Sequence, residues 1–276
     1  MQKESIKKQV RERYGKIAEQ GTSCCGSGSA CCGSNATASI SRNIGYTENN
    51  LTEVPEGANL GLGCGNPTAL ASLKKGETVL DLGSGAGFDC FLAANKVGST
   101  GKVIGIDMTP AMIKKAKANA KKGNYENIDF RLGEIEKLPV DTDSIDVVIS
   151  NCVINLVPSK GKAFNEIFRV LKPGGRLLIS DIVLKKELPG PIRQSIEAYV
   201  GCVSGALLKS KYLDVISEAG FKKVKVLNET VFPVEFLTTD PNVKALIDNS
   251  GITEKELNNL GSSVLSIKVY GVKPGM

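Results

Sequence analysis

The sequence predicts an α/β fold, a doubly wound and mostly parallel sheet preceded by a cysteine-rich N-terminal segment. Three observations carry that expectation. Apolar runs alternate with amphipathic stretches from Thr78 onward. A glycine-rich turn, Asp81-Leu82-Gly83-Ser84-Gly85-Ala86-Gly87, follows the first run, and an acid, Asp107, ends the second. Repeated strand-then-helix units place helices on both faces of a parallel sheet. Strands covered on both faces read as unbroken apolar runs rather than alternating ones.

The elements follow in order. Residues 1–20 are charged, yet Ile6, Val10, Tyr14 and Ile17 recur at three- and four-residue spacing, which predicts a helix with a thin apolar stripe. Residues 21–45 are a Gly/Ser/Cys/Asn tract without periodicity and read as a mobile loop or linker. Strands are expected at 78–82, 103–107, 145–150 and 176–182, with a shorter one at 128–132. Helices are expected over 87–97, 110–122 and 160–171. Lys172-Pro173-Gly174-Gly175 reads as a helix stop and turn before the strand at 176. Further on come helices near 190–200 and 210–219 and strands at 222–230 and 264–272, with a small insertion at 233–262. This reading divides the chain into a helix and Cys-rich tract over 1–45, a main domain over 46–230, and a segment over 231–276 that completes the same domain.

Composition narrows the function. The 276 residues are 41% hydrophobic and 23% charged, as in ordinary globular proteins. The net charge of +6 is modest. The lysines at 114, 115, 117, 121 and 122 read as a solvated helix face rather than a nucleic-acid patch. No apolar run approaches the ~20 residues of a membrane span. The N-terminal Met-Gln-Lys-Glu-Ser has no apolar signal core, so the expected location is the cytoplasm. There is no histidine, which removes the commonest general base and metal ligand. There are eight cysteines, Cys24, Cys25, Cys31, Cys32, Cys64, Cys90, Cys152 and Cys202. In a cytosolic chain so many thiols point to metal binding, catalysis or redox chemistry rather than to a disulfide framework.

The glycine turn and Asp107 predict an adenosine ligand. Gly83 and Gly85 let backbone approach a ligand closely, and an acid at the end of the second strand accepts hydrogen bonds from ribose hydroxyls. A nicotinamide oxidoreductase would also need a hydride-chemistry donor, His or a Tyr–Lys pair, and none is evident. S-adenosylmethionine has an amine, a carboxylate and a sulfonium but no phosphate, and Asp81 suits its ammonium group. Residues 78–180 resemble the class I S-adenosylmethionine methyltransferases. Asp81–Gly87 looks like their first motif and Asp107-Met108 like the ribose and adenine contacts. Gly133-Glu134-Ile135 resembles the adenine-edge loop, Asn151 the residue after the fourth strand, and Leu171–Gly175 the turn before the fifth. The resemblance implies a Rossmann-like sheet with an antiparallel last strand. It also implies a cofactor site built from Asp81, Gly83, Ser84, Gly85, Asp107, Met108, Glu134, Ile135 and Asn151.

The substrate side rests on cysteines. Cys152 lies in Ser150-Asn151-Cys152-Val153-Ile154-Asn155-Leu156, at the carboxyl end of the fourth strand, where ligands of such sheets bind. Cys202 lies in Tyr199-Val200-Gly201-Cys202-Val203-Ser204-Gly205, beyond the fifth strand. Cys64 lies in Gly61-Leu62-Gly63-Cys64-Gly65-Asn66-Pro67, ahead of the first. These segments resemble the arsenite methyltransferase family over about residues 40–220. The resemblance implies that Cys64, Cys152 and Cys202 bind arsenic(III) and that one of Cys24, Cys25, Cys31 or Cys32 is the redox partner of Cys64. Longer members of the family carry a larger C-terminal region. The implied partners are arsenite or its thiol conjugates and a dithiol reductant such as thioredoxin or glutathione, with no permanently bound metal. Thiolates are soft ligands suited to a soft centre.

Other readings accompany these. Cys90 reads as a small buried hydrophobe. A zinc site in the N-terminal tract is disfavoured, because adjacent cysteines lack the usual ligand spacing. Tyr14 and Gly15 are either part of a lid or simple helix packing. The rival functions are a carbon or oxygen methyltransferase with structural cysteines, which needs a general base near Asn151, and a metalloid-binding protein without turnover.

Overall fold

In the computed structural model, which describes residues 3–20, 34–188, 205–231 and 261–275, the apolar runs form one seven-stranded sheet. The strands are β1 (Thr78–Leu82), β2 (Lys102–Asp107), β3 (Ile128–Leu132), β4 (Ile145–Asn151), β5 (Leu171–Leu184), β6 (Lys222–Val231) and β7 (Val264–Val272). Their order across the sheet is β3-β2-β1-β4-β5-β7-β6. The first five pair in parallel, and β7 runs antiparallel between β5 and β6. Each strand expected from the sequence is present. The chain reverses direction across the sheet between β1 and β4, so the cleft at the carboxyl ends of that pair is where a ligand of such a sheet binds.

Eight helices are present among the described residues: α1 (Lys3–Gln20), α2 (Ser34–Asn43), α3 (Glu48–Thr52), α4 (Pro67–Leu70), α5 (Phe88–Val97), α6 (Pro110–Lys122), α7 (Lys160–Val170) and α8 (Lys209–Glu218). Two apolar layers sandwich the sheet. One gathers Phe91, Val97, Ile113 and Ala116 of α5 and α6 with Val79, Val103 and Val147. The other gathers Phe164, Ile167, Tyr212 and Ile216 of α7 and α8 with Leu80, Val148 and Ile179. Burial on both faces explains why β1 and β4 read as continuous apolar runs. The edge strand β6 is mostly exposed and carries Lys222, Lys223 and Lys225, charges that discourage pairing with another chain.

Two expectations need correction. The tract over 21–45 is not a loop throughout, because Ser34–Asn43 is helical. Its composition gives little helical preference, but tertiary contacts override that. Thr37 and Ile40 lie close over Gly61, and the buried Ser41 hydroxyl donates to Asn59 Oδ1 at 3.0 Å. Lys172–Gly175 does not precede the fifth strand but lies inside it. Leu171 pairs with Ile145 and Arg176 with Val147, so the intervening residues bulge. Gly174 adopts φ +81°, its N–H donates to Lys273 O at 2.9 Å, and Lys273 N–H returns a bond to Gly175 O. The helix expected at 190–200 lies outside the described residues, as does almost all of the 233–262 insertion.

Gly105 in the middle of β2 has a packing reason. A Cβ there would lie 2.7 Å from the Phe130 ring and 2.8 Å from Cys90 Sγ. Helix α5 therefore sits against bare backbone. Gly105→Ala is expected to destabilise the fold by about 1–3 kcal/mol through overpacking. Urea unfolding checks this, and an unchanged midpoint would show that the layer has slack.

Candidate active site

The glycine turn is pinned to β2 by two hydrogen bonds, from Gly83 N–H and Ser84 N–H to Ile106 O, at 2.7 and 2.9 Å. Gly83 and Gly85 both have positive φ, +68° and +53°, a region that side chains other than glycine rarely adopt. Their surroundings differ. A Cβ on Gly83 would strike Val153 at 2.2 Å, whereas one on Gly85 would meet nothing within 4 Å. Gly85 therefore faces open space in the cleft. Its N–H donates to Asp107 Oδ2 at 3.0 Å, and Thr109 N–H donates to Asp107 Oδ1 at 2.8 Å. Both bonds aim the Asp107 carboxylate from the end of β2 into the same cleft, which it lines together with Met108, Glu134 and Ile135. The buried Ser84 hydroxyl, also on the cleft, has no hydrogen-bond partner among the described residues.

Two further acids line this cleft. Burial pushes the Asp81 carboxyl well up, helped by the nearby Asp89 and Asp107 charges, while a hydrogen bond from Cys90 opposes the shift. Cys90 Sγ lies 3.2 Å from Asp81 Oδ2, and its side chain is fully buried. Asp89, in the first turn of α5, is pushed up to about 6 by burial, against bonds from the Tyr46 hydroxyl and the Asn151 amide. Those bonds measure 2.8 and 3.2 Å. Two desolvated carboxylates in one cleft are an unfavourable arrangement that a bound cation relieves.

Asn151, the last residue of β4, joins this region to the thiols. Its amide nitrogen donates to Gly65 O at 2.7 Å, to the Tyr46 hydroxyl at 2.9 Å and to Asp89. Its carbonyl accepts from Cys64 N–H at 3.0 Å. Ser266 Oγ of β7 donates to Cys64 O at 2.7 Å, so the loop carrying Cys64 is held from both sides. The next residue, Cys152, adopts φ +60° and donates its N–H to Ser180 O at 2.8 Å. A non-glycine residue in that conformation costs about 1–2 kcal/mol, and such outliers cluster at functional sites. Cys64 and Cys152, 88 positions apart in the chain, are thus brought to one place. Their sulfurs and a carboxylate oxygen of Asp181 all lie within 4.8 Å of one another.

Asp181 was not picked out from the sequence. Its signal is a lone acid inside the apolar run of β5, Leu177-Leu178-Ile179-Ser180-Asp181-Ile182-Val183-Leu184. It accepts from the Tyr212 hydroxyl and from Ile182 N–H, both at 3.0 Å, and burial pushes its carboxyl up to about 7 despite these bonds. Lys268 of β7 is also new. Burial pushes its ammonium down, and the charge of Cys64 favours keeping it protonated. Tyr46 and Asp89 complete the residues that sequence reasoning missed.

Helix α1 covers the site. Ile6 and Val10 pack in the cluster that contains Cys64 and Cys152, with Tyr14 and Met108 beside them. Lys7 pairs with both Glu134 and Glu136 at 2.6 Å, and Arg11 with Glu134 at 3.2 Å. The apolar stripe of residues 1–20 is therefore spent on the cleft, and Glu134 faces the helix as well as the cleft. Lys115 donates to Ala18 O, while Lys114, Lys117, Lys121 and Lys122 are exposed as expected. Cys24, Cys25, Cys31, Cys32 and Cys202 lie outside the described residues. Among the described residues no helix is long and apolar enough to cross a membrane.

Comparisons with known proteins agree with this geometry. A family model described as a methyltransferase domain matches residues 73–220. An arsenite methyltransferase of Halobacterium salinarum is 50% identical over 81% of this chain and 59% of its own length. One from Aquipseudomonas alcaligenes is 38% identical over 60% of this chain and 50% of its own. The chain thus spans little more than half the length of these curated relatives. The crystal structure of an arsenic(III) S-adenosylmethionine methyltransferase from Chlamydomonas reinhardtii superposes with a TM-score of 0.63. It is 30% identical, and the match covers 85% of this chain and 74% of that one.

Gly85→Val tests the cleft. No protein atom lies within 4 Å of a Cβ at this position, and the positive φ sets a backbone strain of about 1–3 kcal/mol. The expected result is a folded protein that no longer binds S-adenosylmethionine by calorimetry. Wild-type affinity in the folded variant would remove Gly85 from the cofactor site.

Proposed function

The chain belongs to the arsenic(III) S-adenosylmethionine methyltransferase family, and we propose that it methylates trivalent arsenic held on its own thiolates, turning arsenite into mono- and then dimethylated products. The observation that carries this reading is the meeting of Cys64 and Cys152 at the carboxyl edge of the sheet, beside the cleft lined by Asp81, Gly85 and Asp107.

The cleft suits S-adenosylmethionine. Asp81 and Asp89 offer the negative charge that its ammonium group needs, Asp107 offers acceptors for ribose hydroxyls, and Ser84 has a hydroxyl unused among the described residues. Gly85 leaves the room. When bound, this cofactor supplies an electrophilic methyl group on a sulfonium, which the arsenic lone pair accepts. No proton leaves the nucleophile, so a chain without histidine loses nothing.

The protein's residues do the rest. Cys64 and Cys152 hold arsenic as thiolates, with Cys202 as the third ligand. Ile6, Val10 and Leu156 wall the thiols with apolar surface and limit water. Methylation leaves arsenic formally pentavalent. A thiolate from Cys24, Cys25, Cys31 or Cys32 then attacks the arsenic-bound sulfur of Cys64. A sulfur–sulfur bond forms, the arsenic–sulfur bond breaks, and its electron pair returns arsenic to the trivalent state. A cellular dithiol reduces the disulfide.

Incubation with labelled S-adenosylmethionine, arsenite and a dithiol, followed by arsenic speciation, tests the activity. Methylated arsenicals are expected, and label in no arsenical would overturn the reading. Cys152→Ser is expected to abolish methylation and to weaken arsenite binding by at least about 100-fold, since a hydroxyl is a poor ligand for a soft centre. Titration with arsenite checks the binding. Replacing Cys24, Cys25, Cys31 and Cys32 together by Ser should leave arsenite binding intact and cut steady-state turnover sharply, and undiminished turnover would exclude those thiols from the cycle.

Cofactor affinity should depend on pH with a defined sign. Protonation of Asp89, with its pKa near 6, and of Asp81, also raised, removes the charge that faces the ammonium group. Affinity is therefore expected to fall as pH drops from 7.5 to 5.5, by about tenfold per proton taken up per pH unit below the pKa. Calorimetry across that range checks it, and a flat profile would show that these acids do not contact the cofactor's charge.

A further inference from the structure

Trivalent arsenic makes use of sulfur, yet the described residues place an oxygen beside the two thiols. Cys64 Sγ, Cys152 Sγ and an Asp181 carboxylate oxygen lie mutually within 4.8 Å, and all three residues are buried. We propose that Cys64, Cys152 and Asp181 form a site for a thiophilic divalent cation of the zinc and cadmium class, which occupies the position assigned above to arsenic and blocks it. The inference leans on the proposed function only for what is blocked; the cation site stands on its own donor set.

The donor chemistry fits. Two thiolates and a carboxylate make a mixed soft and hard set of three negative charges, of the kind that suits a borderline divalent ion. Zinc binds sulfur at about 2.3 Å and carboxylate oxygen at about 2.0–2.2 Å in a tetrahedral shell, so its ligand atoms lie roughly 3.5–3.8 Å apart. The observed separations close to that with side-chain shifts of about 1 Å. The fourth position falls to water or a further thiol. Binding releases the thiol protons to solvent and involves no change of oxidation state.

The carboxylate is also prepared as a ligand. A carboxylate has about four lone-pair positions. Two on Asp181 are used, by the Tyr212 hydroxyl and Ile182 N–H. Such outer bonds orient metal-ligating carboxylates and are a regular part of metal sites. The positive φ of Cys152 and the double anchorage of the Cys64 loop, through Asn151 and Ser266, set the backbone that carries the sulfurs independently of any ligand. Only side-chain adjustment is therefore left for an arriving cation.

Cadmium is the probe, because its thiolate complexes absorb in the ultraviolet. The protein used is the full chain with Cys24, Cys25, Cys31 and Cys32 replaced by Ser, so that those thiols do not compete. One equivalent of cadmium is expected to bind with thiolate-to-metal absorption, and cadmium NMR should report oxygen as well as sulfur in the shell. Asp181→Asn should weaken binding by at least about tenfold, with S-adenosylmethionine affinity as the check on folding. Cys64→Ser and Cys152→Ser should each remove much of the absorption. A sulfur-only NMR signature, wild-type cadmium affinity in a folded Asp181→Asn variant, or absorption that survives loss of both thiols would each overturn the proposal. Cadmium loading is expected to prevent arsenite binding, and arsenite methylation by the cadmium-free wild-type chain separates the two readings. Cadmium binding by these three residues, with no arsenite methylation by the cadmium-free wild-type chain, supports the cation site and sinks the arsenic reading. Methylation of arsenite with no cadmium binding overturns the cation site alone.

Discussion

The side-chain amide of Asn151 holds the two halves of the site together. Its carbonyl fixes the backbone of Cys64, and its nitrogen reaches Gly65, Tyr46 and Asp89. One side ends at the Cys64 and Cys152 thiols and the other at Asp89, an acid of the cleft. Asparagine suits this joint because it offers donors and an acceptor without charge. An aspartate would lose the donors and add a third buried negative charge next to Asp81 and Asp89. A close approach enforces the arrangement: a Cβ on Gly63 would lie 2.6 Å from the Asn151 amide nitrogen. The bare backbone at that position lets the loop ahead of β1 lie directly on the end of β4.

Desolvated charge is the cost of this design, and it is concentrated where ligands bind. Asp81, Asp89, Asp107 and Asp181 are all pushed upward by burial, and Lys268 is pushed downward. A fold seeking only stability would fill such positions with apolar groups. The acids by the glycine turn face a cleft matched to a cationic cofactor, while Lys268 and Asp181 flank the thiols. The acids Asp81, Asp89 and Asp107 line the cofactor side, and beside the thiols one cation, Lys268, stands with one acid, Asp181. Helix α1 closes over both regions, joined by Lys7 and Arg11 to the acids of the loop after β3.

Much of this was legible in the sequence because the signals are local. The apolar runs gave the parallel strands, since burial on both faces leaves no alternation to misread. The glycine turn and Asp107 stood at the strand ends that the sheet brings together. The family resemblance marked Cys64 and Cys152, and the fold makes them neighbours. What was not legible depends on packing between distant segments. Ser34–Asn43 lacks helical periodicity and is held by contacts with the loop at 59–61. Asp181 hides inside an apolar strand, and only the approach of Tyr212 from α8 and of both cysteines shows that it belongs to a site. Tyr46 and Asp89 gain meaning only through Asn151, which links segments more than 60 positions apart.

The central claim is that the thiols of Cys64 and Cys152 hold the arsenic. X-ray absorption at the arsenic edge, on the protein loaded with one equivalent of arsenite in the absence of added thiol, tests it most directly. The account predicts a first shell of sulfur alone around trivalent arsenic, with a sulfur scatterer lost in Cys64→Ser and again in Cys152→Ser. A shell dominated by oxygen, or a sulfur shell unchanged in both variants, would contradict it.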